Sequence, residues 1–98
     1  MLMCRVPGIT KPGGSTKACV SLQDISPTLL DLCDIPKPVH VDGKSLAPIL
    51  KSPKANWEST AISYLYDRYA SIRTEQFRYI RYQDGQQELY DHEQDPHE

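Results

Sequence analysis

Apolar residues along this chain follow two different rhythms. In "VSLQDISPTLLDLCDIP", Ile25, Leu29, Leu32 and Cys33 recur at i, i+4, i+7 and i+8, which is one face of a helix. Asp24 is a fair N-cap, and Pro27 falls in the first turn, where an amide proton has no intrahelical partner. Pro36 and Pro38 are expected to stop this helix. A second, shorter helix is predicted in "SLAPILKS", with Ser45 as cap and Leu46, Ile49 and Leu50 on one face. From Thr60 the rhythm changes to runs rich in β-formers: "AISYLY", "YASIRT" and "FRYIRY", then "ELYD" after an Asp84-Gly85 turn. Leu2–Val6 is a further short strand candidate, closed by Pro7-Gly8.

The pattern therefore predicts an α+β chain: short helices first, then a small antiparallel sheet of three or four strands. The division is expected between residues 1–55 and residues 56–98. A sheet this small needs something laid on its apolar face. The last four residues, Asp95-Pro96-His97-Glu98, read as the opening of a helix. Asp95 suits the N-cap, Pro96 the first position and Glu98 the capping-box place. The chain looks cut there rather than finished.

Composition narrows the choice. Ninety-eight residues make at most one small domain with a modest core. A net charge of −2 gives no general attraction to nucleic acid or anionic membrane. No apolar run approaches membrane-spanning length. The start "MLMCRVPG" has no basic segment leading into a long apolar one, so it does not read as a signal peptide.

Candidate chemistry is sparse. Cys4, Cys19 and Cys33 are odd in number and widely spaced, with no C-x-x-C pair, so buried free thiols are expected. His92, Asp95 and His97 are good ligand types, but their spacing matches no metal pattern, and a solvated turn is the expected reading. Arginines and tyrosines interleave in "RYASIRTEQFRYIRY", a combination able to stack bases and grip phosphates. On a strand, both faces mix the two types, and ordinary sheet packing accounts for them equally well. No G-x-S-x-G elbow, P-loop or G-x-G-x-x-G occurs. His40 sits in a proline-bounded loop and reads as a surface residue.

The order of phrases says more than any single motif. "RVPGITKPGGS", "VSLQDISPTLLDLCDIPKP", "VDGKSLAPIL" and "SIRTEQFRYIRYQDGQQELYDHEQDPHE" follow one another. This succession resembles the C-terminal part of formylglycine-dependent sulfatases of the alkaline-phosphatase superfamily, and looks closest to bacterial sulfatases similar to iduronate-2-sulfatase. The resemblance covers essentially the whole chain. It implies that residues 1–55 end the large α/β domain and that residues 56–98 begin a small C-terminal subdomain, a sheet covered by a terminal helix. By the same comparison several hundred residues would precede Met1.

The resemblance also implies a parent enzyme that hydrolyses sulfate esters, those of sugars or similar small esters, with a formylglycine made within C-x-P-x-R and a carboxylate-held calcium ion. Here Cys4 precedes Arg-Val-Pro and Cys33 precedes Asp-Ile-Pro-Lys, and neither fits that motif. No catalytic residue, metal ligand or cofactor is therefore assigned within the chain, and on its own it is expected to be inactive. Its partners would be the rest of the catalytic domain and, in the parent, a sulfated sugar, with a homodimer of the fragment as a further option. Neither nucleic acid nor membrane is expected. Relatives of this kind are usually exported to the periplasm, the exterior or the lysosome.

In related sulfatases the loop before the "SIRT" strand reaches toward the substrate. Arg68 and Tyr69 of this chain are accordingly the substrate-proximal candidates, and Arg73 is expected to pair with an acid within the sheet. Two alternatives stand beside this reading: a phosphate or phosphonate ester hydrolase of the same superfamily, and a free-standing binding module using the Arg/Tyr-rich sheet.

Overall fold

The computed structural model describes residues 1–58, 60–66 and 68–97. Two compact units form, Met1–Lys17 with Ser21–Glu58, and Ala18–Val20 with Ser59–Glu98.

The first unit is built on two short helices. A 3₁₀ turn, Leu22–Asp24, runs directly into helix α1, Ile25–Leu32. Asp24 is the N-cap of α1, as expected, but its side chain makes no cap bond there; it closes a capping box one turn earlier, where Ser21 caps the 3₁₀ turn and its amide donates to Asp24 Oδ2 at 2.7 Å. The cap position holds while the Asp24 side chain turns to other donors. The Asp24 carboxylate is buried, 4% exposed, and its second oxygen accepts the Lys44 amide at 2.8 Å. The α1 face also differs from the expected one. Pro27 and Thr28 are buried, whereas Leu29 is 58% exposed and Cys33 is exposed. Polar anchoring, rather than the apolar stripe, decides which side of this helix turns inward.

Helix α1 ends before the prolines reach it. Asp34 takes a left-handed φ of 55°, the Asp34 amide donates to Asp31 O, and the Ile35 amide reaches back to Leu30 O at 2.8 Å. This is a Schellman closure with aspartate where glycine is commonest.

Helix α2, Ala47–Lys51, places Ala47 and Ile49 inward beside Leu46, and these three are the buried apolar residues among those described. Ser45 contributes to the cap, as its hydroxyl accepts the Ala47 amide at 3.2 Å and donates to Asp31 Oδ2. Thr28 completes the tie between the helices. Its hydroxyl donates to Asp24 O and accepts the Leu46 amide at 2.8 Å. Gly43, at φ 91°, lies so close to the 3₁₀ turn that an added Cβ would stand 2.3 Å from Gln23 O. The "QDISPT" and "DGKSL" phrases thus belong together because each supplies what the other's backbone lacks.

Leu2–Val6 forms no strand. Val6 and Thr10 instead close a local turn, with the Val6 amide donating to Thr10 Oγ1 at 2.9 Å. A strand needs a neighbour's backbone, and none is placed beside this segment among the described residues. Cys4 and Cys33 are exposed and Cys19 is half-buried, so the expected burial does not hold.

The second unit is a four-stranded antiparallel meander in the order β1 (Ala61–Leu65), β2 (Tyr69–Arg73), β3 (Phe77–Arg81) and β4 (Gln87–Asp91). The register aligns Ile62, Ile72, Tyr79 and Leu89 as one cross-strand row. Ile62, Ile72 and Leu89 of this row are 45%, 36% and 68% exposed, so one sheet face presents an uncovered apolar stripe. The opposite face carries Tyr69, Arg73, Arg78, Ile80, Tyr82, Glu88 and Tyr90.

After β4 the chain tightens into a turn, with the Asp95 amide on Asp91 O. Asp95 Oδ1 accepts the His97 amide at 3.3 Å, the bond an N-cap aspartate makes. Glu98, the expected capping-box partner, lies outside the described residues.

Candidate substrate-facing end of the sheet

In a four-stranded meander, the β1–β2 and β3–β4 turns lie at the same end of the sheet. That end brings the two substrate-proximal candidates beside residues of the Asp84-Gly85 hairpin. The pairing of Ala70 with Arg81, continued by one step, sets Tyr69 across from Tyr82. Their rings meet edge to face, 5.9 Å apart and at 88°.

Tyr82 is held from a second side. Its hydroxyl donates to Glu88 Oε2 at 2.8 Å, and the Tyr90 hydroxyl donates to the same oxygen at 2.9 Å. A carboxylate acceptor favours the protonated phenol, so the hydrogen bond to Glu88 pushes the Tyr82 pKa above its ordinary value of 10.0. Desolvation and the Glu88 charge add to this, and Arg78 works against it. The result is a neutral phenol fixed in direction at the hairpin base.

Two shallow grooves flank Tyr82. One, of about 400 Å³, is lined by Tyr69, Tyr82, Gln83 and Asp84. The other, of about 310 Å³, is lined by Arg68, Arg81, Tyr82, Gln83 and Gly85. Arg68 and Tyr69 therefore face different grooves that share one wall. Arg81 and Tyr82 stood out in sequence only as part of the Arg/Tyr run, and Gln83 not at all, because what joins them to Arg68 is strand register. Asp67, within the same loop, lies outside the described residues.

Arg73 sits at the far end of its strand, where Nη1 contacts His92 Nε2. Among the described residues no group of three or more His, Cys, Asp or Glu is placed to hold a metal ion. His92, Asp95 and His97 are used instead in turn closure and in contact with Arg73.

Comparison with known proteins bears on this geometry. The family model described as N-sulphoglucosamine sulphohydrolase, C-terminal, matches residues 1–98. The N-acetylglucosamine-6-O-sulfatase of Bacteroides thetaiotaomicron is 32% identical across 99% of this chain and 20% of its own length. Arylsulfatase K of Rattus norvegicus is 36% identical across 94% of this chain and 19% of its own. A protein solved in complex with its substrate D-glucosamine-2-N,6-O-disulfate superposes with a TM-score of 0.77 at 28% identity, covering 94% of this chain and 21% of that one. This chain spans about a fifth of the length of the curated relatives it matches. The α+β arrangement and its resemblance to the sulfatase C-terminal part are both upheld, and the chain belongs to the N-sulphoglucosamine sulphohydrolase C-terminal family of the sulfatases.

Proposed function

We propose that this chain is the C-terminal part of a sulfuric ester hydrolase acting on a sulfated sugar, and that it supplies binding surface rather than reacting atoms. The observation that carries this is the placing of Arg68 and Tyr69 on adjoining grooves at one end of the sheet. Support comes from the substrate of the structural neighbour, a disulfated glucosamine. A guanidinium beside a fixed phenol suits a sugar that carries both anionic and apolar faces.

The residues present fit neither a formylglycine nor a calcium ion. Neither Cys4 nor Cys33 stands in C-x-P-x-R, and no metal-holding cluster occurs among the described residues. In this reading the aldehyde and the cation belong to the remainder of the enzyme, and so does the chemistry they supply. Residues 1–55 would close the large domain and residues 56–98 would form the subdomain. The exposed Ile62, Ile72 and Leu89 supply a reason for this subdomain to have a neighbour.

The coding sequence preceding Met1 tests the proposal. An in-frame C-x-P-x-R motif is expected. A Thr or Ser nucleophile in another setting would instead favour the phosphate or phosphonate ester hydrolase of the same superfamily.

A further inference from the structure

The groove between the two hairpin turns contains two arginines, and each is exposed. Arg81 lies directly across from Ala70, whose methyl group is too short to cover the guanidinium. Arg68 stands two residues earlier, in the β1–β2 turn. Among the described residues, neither guanidinium has a hydrogen-bond or ion-pair partner, whereas Arg73 and Arg78 of the same sheet do.

Among the described residues, the nearby acids are otherwise engaged. Glu88 receives both tyrosine hydroxyls, and Asp84 faces the other groove while accepting the Gln86 amide. Gly85, at φ 87°, adds no side chain to the groove, and a Cβ there would meet nothing within 4 Å. The groove therefore combines two positive forks, the Gln83 amide and a fixed phenol wall.

We propose that Arg68 and Arg81 form a two-guanidinium clamp for an oxyanion borne by a sugar, with Gln83 and Tyr82 as neutral contacts. The inference rests on the reading of this end as substrate-facing and adds Arg81 and Gln83 from the second hairpin to it. Paired arginine forks match the oxygen spacing of either a sulfate ester or a uronate carboxylate. A single lysine-like point charge would not discriminate in this way.

The test is an NMR titration of the isotope-labelled 98-residue chain with N-acetylglucosamine 6-sulfate, glucuronate and N-acetylglucosamine. The charged sugars are expected to shift the Arg68, Arg81, Gln83 and Gly85 signals, and the neutral sugar is not. The stronger of the two charged sugars identifies the oxyanion. R68Q and R81Q are each expected to weaken binding at least about five-fold, with the sheet signals unchanged as proof of folding. Wild-type affinity in R81Q with weakened binding in R68Q overturns the clamp and leaves the sulfatase reading standing. Equal response to the neutral sugar, shifts centred elsewhere, or no binding overturns the clamp as well. Tighter, salt-sensitive binding of a short oligonucleotide would also overturn it. The sulfatase reading fails separately, on the sequence preceding Met1.

Discussion

Asp24 and Lys44 stand twenty residues apart in sequence and are joined by a 2.8 Å hydrogen bond from the Lys44 amide to Asp24 Oδ1. The other carboxylate oxygen holds the Ser21 amide at 2.7 Å. One buried side chain thus closes the capping box of the 3₁₀ turn and fixes the segment that leads into the second helix. Asp24→Ala removes both acceptors and leaves both amides without them. A loss of about 3 kcal/mol is expected, read from the urea midpoint. Asp24→Asn should recover less than half of it, since its amide nitrogen would face a donor. A change within about 0.5 kcal/mol would show that the carboxylate does not tie the helices.

Glycines offer a sharper contrast. Gly43 and Gly85 have nearly the same φ, 91° and 87°. A Cβ at Gly43 would meet Gln23 O at 2.3 Å, while one at Gly85 meets nothing within 4 Å. Gly85→Ala should therefore cost only the left-handed backbone penalty, about 1 kcal/mol. Gly43→Ala should cost at least about 2 kcal/mol more, because backbone must move. Equal losses in thermal unfolding would count against the close packing of the 3₁₀ turn on the Asp42-Gly43 bend.

The Tyr82 phenol predicts an alkaline signature. Its folded pKa is raised, chiefly by the hydrogen bond to Glu88. The stabilisation from that bond is thus fully present below the ordinary tyrosine value and is lost as pH rises through the folded value. Ultraviolet titration should show a tyrosine step above pH 10.0 that is lost in Y82F. In E88Q it should move back toward the ordinary range. A titration curve identical in E88Q and wild type would remove Glu88 as the cause.

Within the sulfatase proposed to carry this chain, Arg68→Ala is expected to act on substrate binding. KM for a sulfated sugar should rise about 10-fold, while the turnover rate stays within about 3-fold of wild type. Turnover slowed by about a thousand-fold at unchanged KM would mean that Arg68 works on the reacting group instead.

The sheet was largely legible in the sequence. "AISYLY", "YASIRT", "FRYIRY" and "ELYD" each coincide with an observed strand, and Asp84-Gly85 turns the last pair. Local preference and tertiary position agree there, so β-propensity and the turn residues suffice. The helical half was less so. The 3₁₀ turn before α1 depends on where the Asp24 carboxylate goes, and its partner lies far along the chain. Leu29 fits the apolar stripe yet stays exposed, because Thr28 and Asp24 are the groups the second helix requires. At the candidate site, Arg68 and Tyr69 came from resemblance. Arg81 and Gln83 became visible once register set the two turns side by side.

Sulfate release is the measurement that bears most directly on the central claim. The 98-residue chain is incubated with a sulfated sugar and with an aryl sulfate, with and without calcium, beside a boiled control. The account predicts no release above that control under any condition, because these residues bind and position while the reacting groups reside elsewhere in the enzyme. Calcium-dependent turnover by the chain alone would contradict it.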